Sequence, residues 1–116
     1  MHLHTKRIYD PPAPEDGYRL LVMLLWPRGI RKDKIDAWNK DLAPSEKLRR
    51  TYIRGGLAWE VYAKAYLEEM ISRQEPLAEV ARRAQKQTVT LLCSCQDESR
   101  CHRTLLKGLV EAADGS

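Results

Sequence analysis

The fold of this chain is decided by one apolar stretch, Arg19-Leu20-Leu21-Val22-Met23-Leu24-Leu25, which ends at Trp26-Pro27-Arg28-Gly29. A continuous apolar run bounded by turn-forming residues is typical of a parallel strand that is covered on both faces. We therefore predict a strand over residues 19–25 in the centre of a sheet. The chain must leave the sheet at the carboxyl end of this strand, because Pro27 has no backbone donor and Gly29 permits a tight turn.

Strand and helix patterns alternate on both sides of this stretch. Two further strands are predicted over residues 3–9 and 88–93, and the prolines of residues 10–17 exclude a helix or central strand there. Apolar spacing predicts helices over residues 58–73, 76–85 and 102–113. Ser45 is predicted to cap another helix that Gly55-Gly56 ends, and residues 32–40 are predicted to form a short helix that buries Ile35 and Trp38.

This alternation predicts the α/β class. We expect residues 1–116 to form a single compact domain, with a small, mostly parallel central sheet and helices packed on its faces in a Rossmann-like arrangement. The apolar fraction of 43% and the charged fraction of 31% are typical of a globular protein. We find no signal peptide and no apolar run long enough to span a membrane, so we expect a cytoplasmic protein without a membrane partner.

The densest cluster of reactive groups is the segment from Cys93 to Arg103, which contains all three cysteines of the chain. In one interpretation, Cys101 lies in the first turn of the last helix, where the helix dipole and neighbouring positive charges favour a thiolate. Cys101, Cys93 and His102 are then the catalytic candidates of a small enzyme with a reactive cysteine. Whether the chain is an enzyme at all stays open at this point.

The same segment supports two other interpretations. Cys93, Cys95, Cys101 and His102 supply the four ligands of a tetrahedral zinc site, which would make the chain a zinc-stabilised structural protein. The spacing argues against zinc, because the usual pairs separated by two residues are absent and Cys101 is adjacent to His102. We therefore predict no metal or other cofactor, with zinc as the alternative. In the third interpretation the cysteines are buried and only contribute to packing.

Ligands of open α/β sheets bind outside the carboxyl ends of the strands, where both unusual segments of this chain lie. We predict that an anionic small molecule, with a nucleotide derivative as one candidate, binds there. The net charge of +4 also favours an anion. The ligand-binding candidates are Trp26, Arg28, Gly29, Ser99 and Arg103. The alternative partner is nucleic acid, bound without catalysis. Its stacking surfaces are Trp26 or Tyr52, and its basic residues are Arg28, Arg31, Lys32, Arg49, Arg50 and Arg54.

Several segments in order resemble a known family. They are Arg7-Ile8-Tyr9-Asp10, Asp16-Gly17-Tyr18-Arg19, Leu24-Leu25-Trp26-Pro27-Arg28-Gly29 and Lys40-Asp41-Leu42-Ala43-Pro44-Ser45. These segments are similar to the YeaO-like branch of the domain of unknown function 488 (DUF488) family. The resemblance implies a compact prokaryotic α/β domain and no assigned activity, so it informs the fold more than the function.

Two departures from the family pattern concern the candidate site. The family usually reads V-D-R-L-W-P-R-G, whereas Met23 and Leu24 replace the acid and the base in this chain. The segment from Cys93 to Arg103 resembles the C-x-E and C-H-R segments of other branches, but Cys95 stands in place of the glutamate. If the acid and base are catalytic in relatives, this chain lacks their chemistry.

Overall fold

The computed structural model describes residues 1–114, and the side chains of residues 1–113. It confirms the α/β class. The strands are β1 (Leu3–Arg7), β2 (Tyr18–Leu21), β3 (Ala37–Trp38) and β4 (Val89–Cys93), and the helices are α1 (Glu46–Ile53), α2 (Trp59–Met70), α3 (Gln74–Lys86) and α4 (His102–Asp114). Short 3-10 turns occupy Pro14–Asp16, Lys32–Lys34, Lys40–Leu42 and Glu98–Arg100. No helix of residues 1–114 has the length and apolar character needed to cross a membrane.

The four strands form one parallel sheet in the order β1-β4-β2-β3. The last strand, β4, is inserted between the first two, with Leu3 opposite Val89 on one side and Tyr18 opposite Val89 on the other. All five residues of β4 are buried, as expected for an interior strand covered on both faces. This order brings the carboxyl ends of β2 and β4 side by side.

The predicted strand over residues 19–25 is interior but shorter than expected. It ends at Leu21, and the Val22 backbone N–H makes one further bond to the Leu92 carbonyl (3.0 Å). Beyond that point, side chains replace the ladder, because His102 hydrogen-bonds the Val22 carbonyl and the Trp38 indole donates to the Met23 carbonyl (2.7 Å). Residues 22–25 therefore form a bend and not a longer strand, with Val22 buried, Met23 and Leu24 partly buried and Leu25 exposed.

The predicted helix over residues 32–40 is wrong. This segment forms a 3-10 turn and then the edge strand β3, which pairs with β2 through Leu20 opposite Ala37. Ile35 and Trp38 are partly buried against the sheet, as predicted, but they reach it from an extended backbone. The three-residue spacing of two apolar side chains fits a helix and such an irregular crossing equally well.

The boundaries of the remaining elements agree closely with the predictions. The Ser45 hydroxyl caps α1 by accepting from the Leu48 backbone N–H (3.2 Å), and α1 ends before Gly55-Gly56. Helix α3 begins two residues before Pro76, which therefore lies in its first turn, where a missing N–H leaves no helical bond unmade.

The two faces of the sheet are covered differently. All four helices contribute to a large apolar cluster that packs on one face through Leu20, Val89 and Leu91. The opposite face carries a smaller cluster of Ile8, Leu21 and Leu92, which is covered by partly buried side chains from residues 23–38. The helices of residues 1–114 therefore pack on one face of the sheet, and residues 23–38, which include the Trp26-Pro27-Arg28-Gly29 loop, cover the other face.

A buried ion network at the amino end of the sheet fastens the proline-rich loop. The Asp16 carboxylate, in a residue that is 7% exposed, accepts from Lys6 Nζ (3.1 Å), the Ala13 N–H (3.0 Å) and the Arg19 guanidinium. Burial acts to raise the pKa of Asp16, but the Ala13 bond and the charges of Lys6 and Arg19 outweigh it and lower the pKa. Gly17 completes the turn at φ 62°, where an added Cβ would lie 2.3 Å from the Thr88 carbonyl oxygen.

We expect Asp16→Asn to lower the free energy of unfolding by about 3 kcal/mol at neutral pH, because it leaves Arg19 buried without its counter-ion. Since the folded-state pKa of Asp16 lies below that of a free aspartate, its contribution is complete at neutral pH and is lost as the pH falls through the folded-state pKa. Urea unfolding across pH 3 to 7 measures the difference. Glu15→Gln, at the exposed neighbouring position, is the control, and equal loss in both variants would contradict the assignment.

Candidate metal centre and the cavity beside it

The end of β4 and the start of α4 bring Cys93, Cys95, Cys101 and His102 together. Their ligand atoms, three sulfurs and His102 Nδ1, all lie within 4.8 Å of one another. Cys93 Sγ is 3.6 Å from Cys95 Sγ and 3.9 Å from His102 Nδ1, and Cys101 Sγ is 4.0 Å from His102 Nδ1. These four side chains lie close enough together to hold a metal ion.

The spacing objection to a metal site does not hold in the folded chain. Cys101 has an extended backbone (φ −138°, ψ 142°) immediately before α4 begins at His102. This extended residue at the helix boundary lets two sequence neighbours direct Sγ and Nδ1 toward one point. Three of the four residues are buried and Cys95 is partly exposed, so the cluster has one side nearer to solvent.

The orientation of His102 is set by a bond at the far side of its ring. His102 Nε2 lies 2.6 Å from the Val22 carbonyl oxygen, which can only accept, so Nε2 carries the proton and donates it. This bond directs Nδ1 toward Cys93 and Cys101. A histidine whose second nitrogen donates to a backbone carbonyl has the arrangement found for most metal-binding histidines.

The electrostatics of the cluster favour ionised sulfur. Hydrogen bonds from Cys101 and Cys95, followed by the contact with His102, lower the pKa of Cys93. Burial acts to lower the pKa of His102, but its bond to Cys93 and the neighbouring thiols outweigh burial and raise the pKa to about 9. Cys101 is the partner that keeps its proton, because it donates to Cys93 and Cys95, and these bonds together with burial raise its pKa.

Arg103 contacts the cysteine cluster outside the cavity. Its residue is 2% exposed, and its Nη1 donates to the Cys95 carbonyl (3.0 Å) and to Cys101 Sγ (3.4 Å). The Nε atom makes no hydrogen bond within residues 1–114. Arg103 thus contacts a ligand-bearing loop and a sulfur, and it is not among the residues that line the neighbouring cavity.

The loop between β4 and α4 is fastened at several points. Asp97 accepts from the Ser99 backbone N–H (3.0 Å) and hydroxyl (2.6 Å). Thr5 on β1 donates to the Glu98 carboxylate (2.8 Å), and Thr104 on α4 donates to the Glu98 carbonyl (2.6 Å). Ser99, a predicted ligand residue, is exposed and engaged by Asp97, outside the cavity.

A cavity of about 130 Å³ opens against the cluster. It is lined by the four ligand residues with Ser94, and by Arg49 on α1 and Arg100 on the Glu98–Arg100 turn. The remaining lining is mostly apolar and consists of Met23, Leu24, Pro44, Tyr52, Ile53 and Tyr62. The Tyr52 and Tyr62 rings stack with centroids 4.2 Å apart, which connects this wall to the core.

The Trp26-Pro27-Arg28-Gly29 loop does not line this cavity. Trp26 packs edge-on against Trp38 (centroids 5.3 Å apart) and donates to the Ile30 carbonyl (2.8 Å). Arg28 is exposed and contributes its carbonyl to the Tyr9 hydroxyl (2.9 Å), and Gly29 forms the turn at φ 80°. The three residues that follow β2, Val22 to Leu24, lie next to the cysteine segment in place of this loop.

Two of the cavity residues have a different role in the sequence prediction. Arg49 and Tyr52 belong there to the alternative nucleic-acid surface, whereas the structure places both in the cavity lining. The three-residue spacing of Arg49 and Tyr52 on α1 indicates a shared helix face, but it does not indicate which part of the sheet that face meets.

Sequence comparison identifies the family of this chain. A family profile described as the active DUF488-N3 subclade matches residues 3–114. The chain belongs to the DUF488 family. It is 36% identical over 108 residues to the uncharacterised protein YeaO of Escherichia coli (strain K12), covering 91% of this chain and 94% of that protein.

Other relatives are equally without an assigned role. The uncharacterised protein Rv3073c of Mycobacterium tuberculosis and Mb3100c of Mycobacterium bovis are each 35% identical over 110 residues, covering 93% of this chain and 92% of theirs. No solved structure matches the chain. In this DUF488 chain, Met23 and Leu24 line the cavity wall and Cys95 adds a third sulfur to the cluster.

Proposed function

We propose that this DUF488 protein binds one zinc ion through Cys93, Cys95, Cys101 and His102. The observation that carries the proposal is the convergence of all three cysteines and a carbonyl-anchored histidine on one point. Zinc in a tetrahedral site has metal–sulfur bonds of about 2.3 Å, which separate two sulfur ligands by about 3.8 Å. The Cys93–Cys95 sulfur–sulfur distance of 3.6 Å lies near that value, the two sulfur–nitrogen distances are 3.9 and 4.0 Å, and all four ligand atoms lie within 4.8 Å of one another.

The surroundings fit the charge of such a site. Three thiolates, a neutral imidazole and a divalent ion leave one net negative charge, and Arg103 lies against Cys101 with its guanidinium. Buried charge is tolerated when it is paired in this way. The Val22 bond holds a proton on Nε2, so Nδ1 is the nitrogen that gives up its proton and binds the metal.

A zinc ion at this site would crosslink two secondary-structure elements. It would join the end of β4 to the start of α4 and fix the intervening loop, which carries Arg100 into the cavity. A bound zinc ion also supplies a Lewis acid at the cavity floor. The chain's own residues then form the walls that determine which molecules approach it.

The zinc content of the purified, untagged protein tests this proposal. We expect about one zinc per chain by elemental analysis, and thiolate-to-cobalt charge-transfer absorption when cobalt replaces zinc. Cys95→Ser should weaken that absorption and His102→Ala should lower zinc affinity, since each removes one ligand. His4→Ala and Ser94→Ala are matched controls, because His4 is exposed on β1 and Ser94 is adjacent to two ligands.

Removal of the metal should also affect stability. We expect a strong chelator to lower the melting temperature by about 10 °C or more, since the ion binds the folded state selectively. Added zinc should restore it in the parent and in both controls. Protein that takes up neither zinc nor cobalt, with all three cysteines reduced, would overturn the proposal.

A second candidate function rests on a narrower observation. Cys93 Sγ lies 3.9 Å from His102 Nδ1, the Val22 carbonyl orients that ring, and Cys93 and His102 both border the cavity. A thiol, an imidazole and a group that orients the imidazole are the parts of an activated cysteine nucleophile. In this candidate function the protein is a small cysteine-dependent enzyme, and Cys95 and Cys101 support the reactive sulfur.

Alkylation distinguishes the two candidates. With iodoacetamide, the Cys93 sulfur bonds to the carboxamidomethyl carbon while iodide leaves, and peptide mass analysis locates the product. A nucleophile predicts fast modification of Cys93 in the protein as purified, slowed about tenfold by His102→Ala and unchanged by His4→Ala. Protection in the purified protein that a chelator abolishes would favour the zinc site instead.

A further inference from the structure

Two arginines that line the cavity form no ion pair within residues 1–114. Arg19, Arg31, Arg73 and Arg82 each form an ion pair with a carboxylate. The side chains of Arg49 and Arg100 form none, and no aspartate or glutamate lines the cavity that these two residues border. Two arginines from different elements therefore border one small space that no carboxylate lines.

The remaining acid near this space is already occupied. Hydrogen bonds from the Ser99 hydroxyl and backbone, together with the charges of Arg100 and Arg103, lower the pKa of Asp97. Its carboxylate accepts from Ser99 at 2.6 Å and 3.0 Å and is not part of the cavity lining. Arg100 therefore remains available to an anion that enters the cavity.

The walls strengthen the attraction between these cations and an anion. Tyr52, Tyr62 and Leu24 exclude water from one side of the space, and low-dielectric walls increase the Coulomb energy between opposite charges. The volume of about 130 Å³ admits a compact group and not a whole nucleotide. Ile53, which is 63% exposed, lies at the border of the cavity and offers an apolar surface to whatever extends outward.

We infer that this cavity binds the phosphoryl group of a phosphomonoester between Arg49 and Arg100, with the organic part of the ligand against Tyr52 and Ile53. Two separate guanidinium groups match a phosphomonoester, which carries close to two negative charges at neutral pH, better than a carboxylate, which carries one. The inference deepens the proposed zinc function and rests on it in one respect, since the zinc would fix the loop that carries Arg100.

The anion is also compatible with the cluster beneath it. With zinc bound, the single net negative charge of the four-ligand centre lies against Arg103, so the two cavity arginines are not needed to neutralise it. The apolar wall has the same consequence. Met23 and Leu24 carry no charge, so this wall neither repels an anion nor competes for the arginines.

Titration calorimetry of the purified, zinc-containing protein at low ionic strength tests the inference, with phenyl phosphate, inorganic phosphate and benzoate as probes. We expect phenyl phosphate to bind more tightly than inorganic phosphate, and benzoate to bind most weakly. Arg49→Gln and Arg100→Gln should each weaken phenyl phosphate about tenfold or more. Ile53→Ala should reduce the preference for phenyl phosphate over inorganic phosphate.

Arg50→Gln is the matched control, because Arg50 is exposed on the same helix as Arg49 and does not line the cavity. It should change the affinity less than twofold, and unchanged melting temperatures would show that all variants are folded. Loss of affinity equal to that of Arg49→Gln would indicate diffuse electrostatic attraction and overturn the inference. Absence of phenyl phosphate binding at millimolar concentration would also overturn it.

The two proposals fail separately. Phosphate binding that depends on Arg49 and Arg100 in a protein without metal would support the cavity and refute the zinc centre. A protein with one zinc per chain whose phosphate binding ignores both arginines would support the zinc centre and refute the cavity.

Discussion

The hydrogen bond between His102 Nε2 and the Val22 carbonyl is the contact on which the site depends. At 2.6 Å and fully buried, it joins the first residue of α4 to the residue that follows β2. It holds the bend that ends the strand, orients Nδ1 toward the sulfurs, and brings residues 22–24 against the cysteine segment. The Val22 carbonyl lies beyond the end of β2, and its bond to His102 determines how the imidazole faces the cluster.

The segments that resemble the DUF488 family have mainly structural roles in this chain. Asp16, Gly17 and Arg19 close the amino end of the sheet around a buried ion network. Trp26 and Trp38 pack against each other over the face that carries no helix. Ser45 caps α1 and its backbone N–H donates to Glu69 on α2 (2.8 Å). Met23, Leu24 and the three cysteines, by contrast, line the cavity.

This division has a physical basis in the parallel sheet. The amino ends of the strands are closed by charge pairing, whereas the carboxyl ends of β2 and β4 lie side by side and lead into the two irregular segments. Irregular segments can present side chains and backbone groups that a regular ladder would occupy. The cysteine cluster and the unpaired arginines therefore occur where the fold leaves room for chemistry, and substitution there changes the site without changing the core.

The sequence by itself determined the α/β class, the helix over residues 102–113, the Ser45 cap and the importance of the segment from Cys93 to Arg103, because these depend on local periodicity and residue chemistry. It did not determine the secondary structure of residues 32–40, since the apolar residues Ile35 and Trp38, three positions apart, fit a helix or an edge strand. It also argued against a metal site, because linear spacing cannot show that an extended Cys101 before a helix turns two neighbours toward one point. Only the tertiary structure decided that Met23, Leu24 and Arg49, and not Arg28, border the cysteine cluster, since that depends on where β2 bends and where α1 packs.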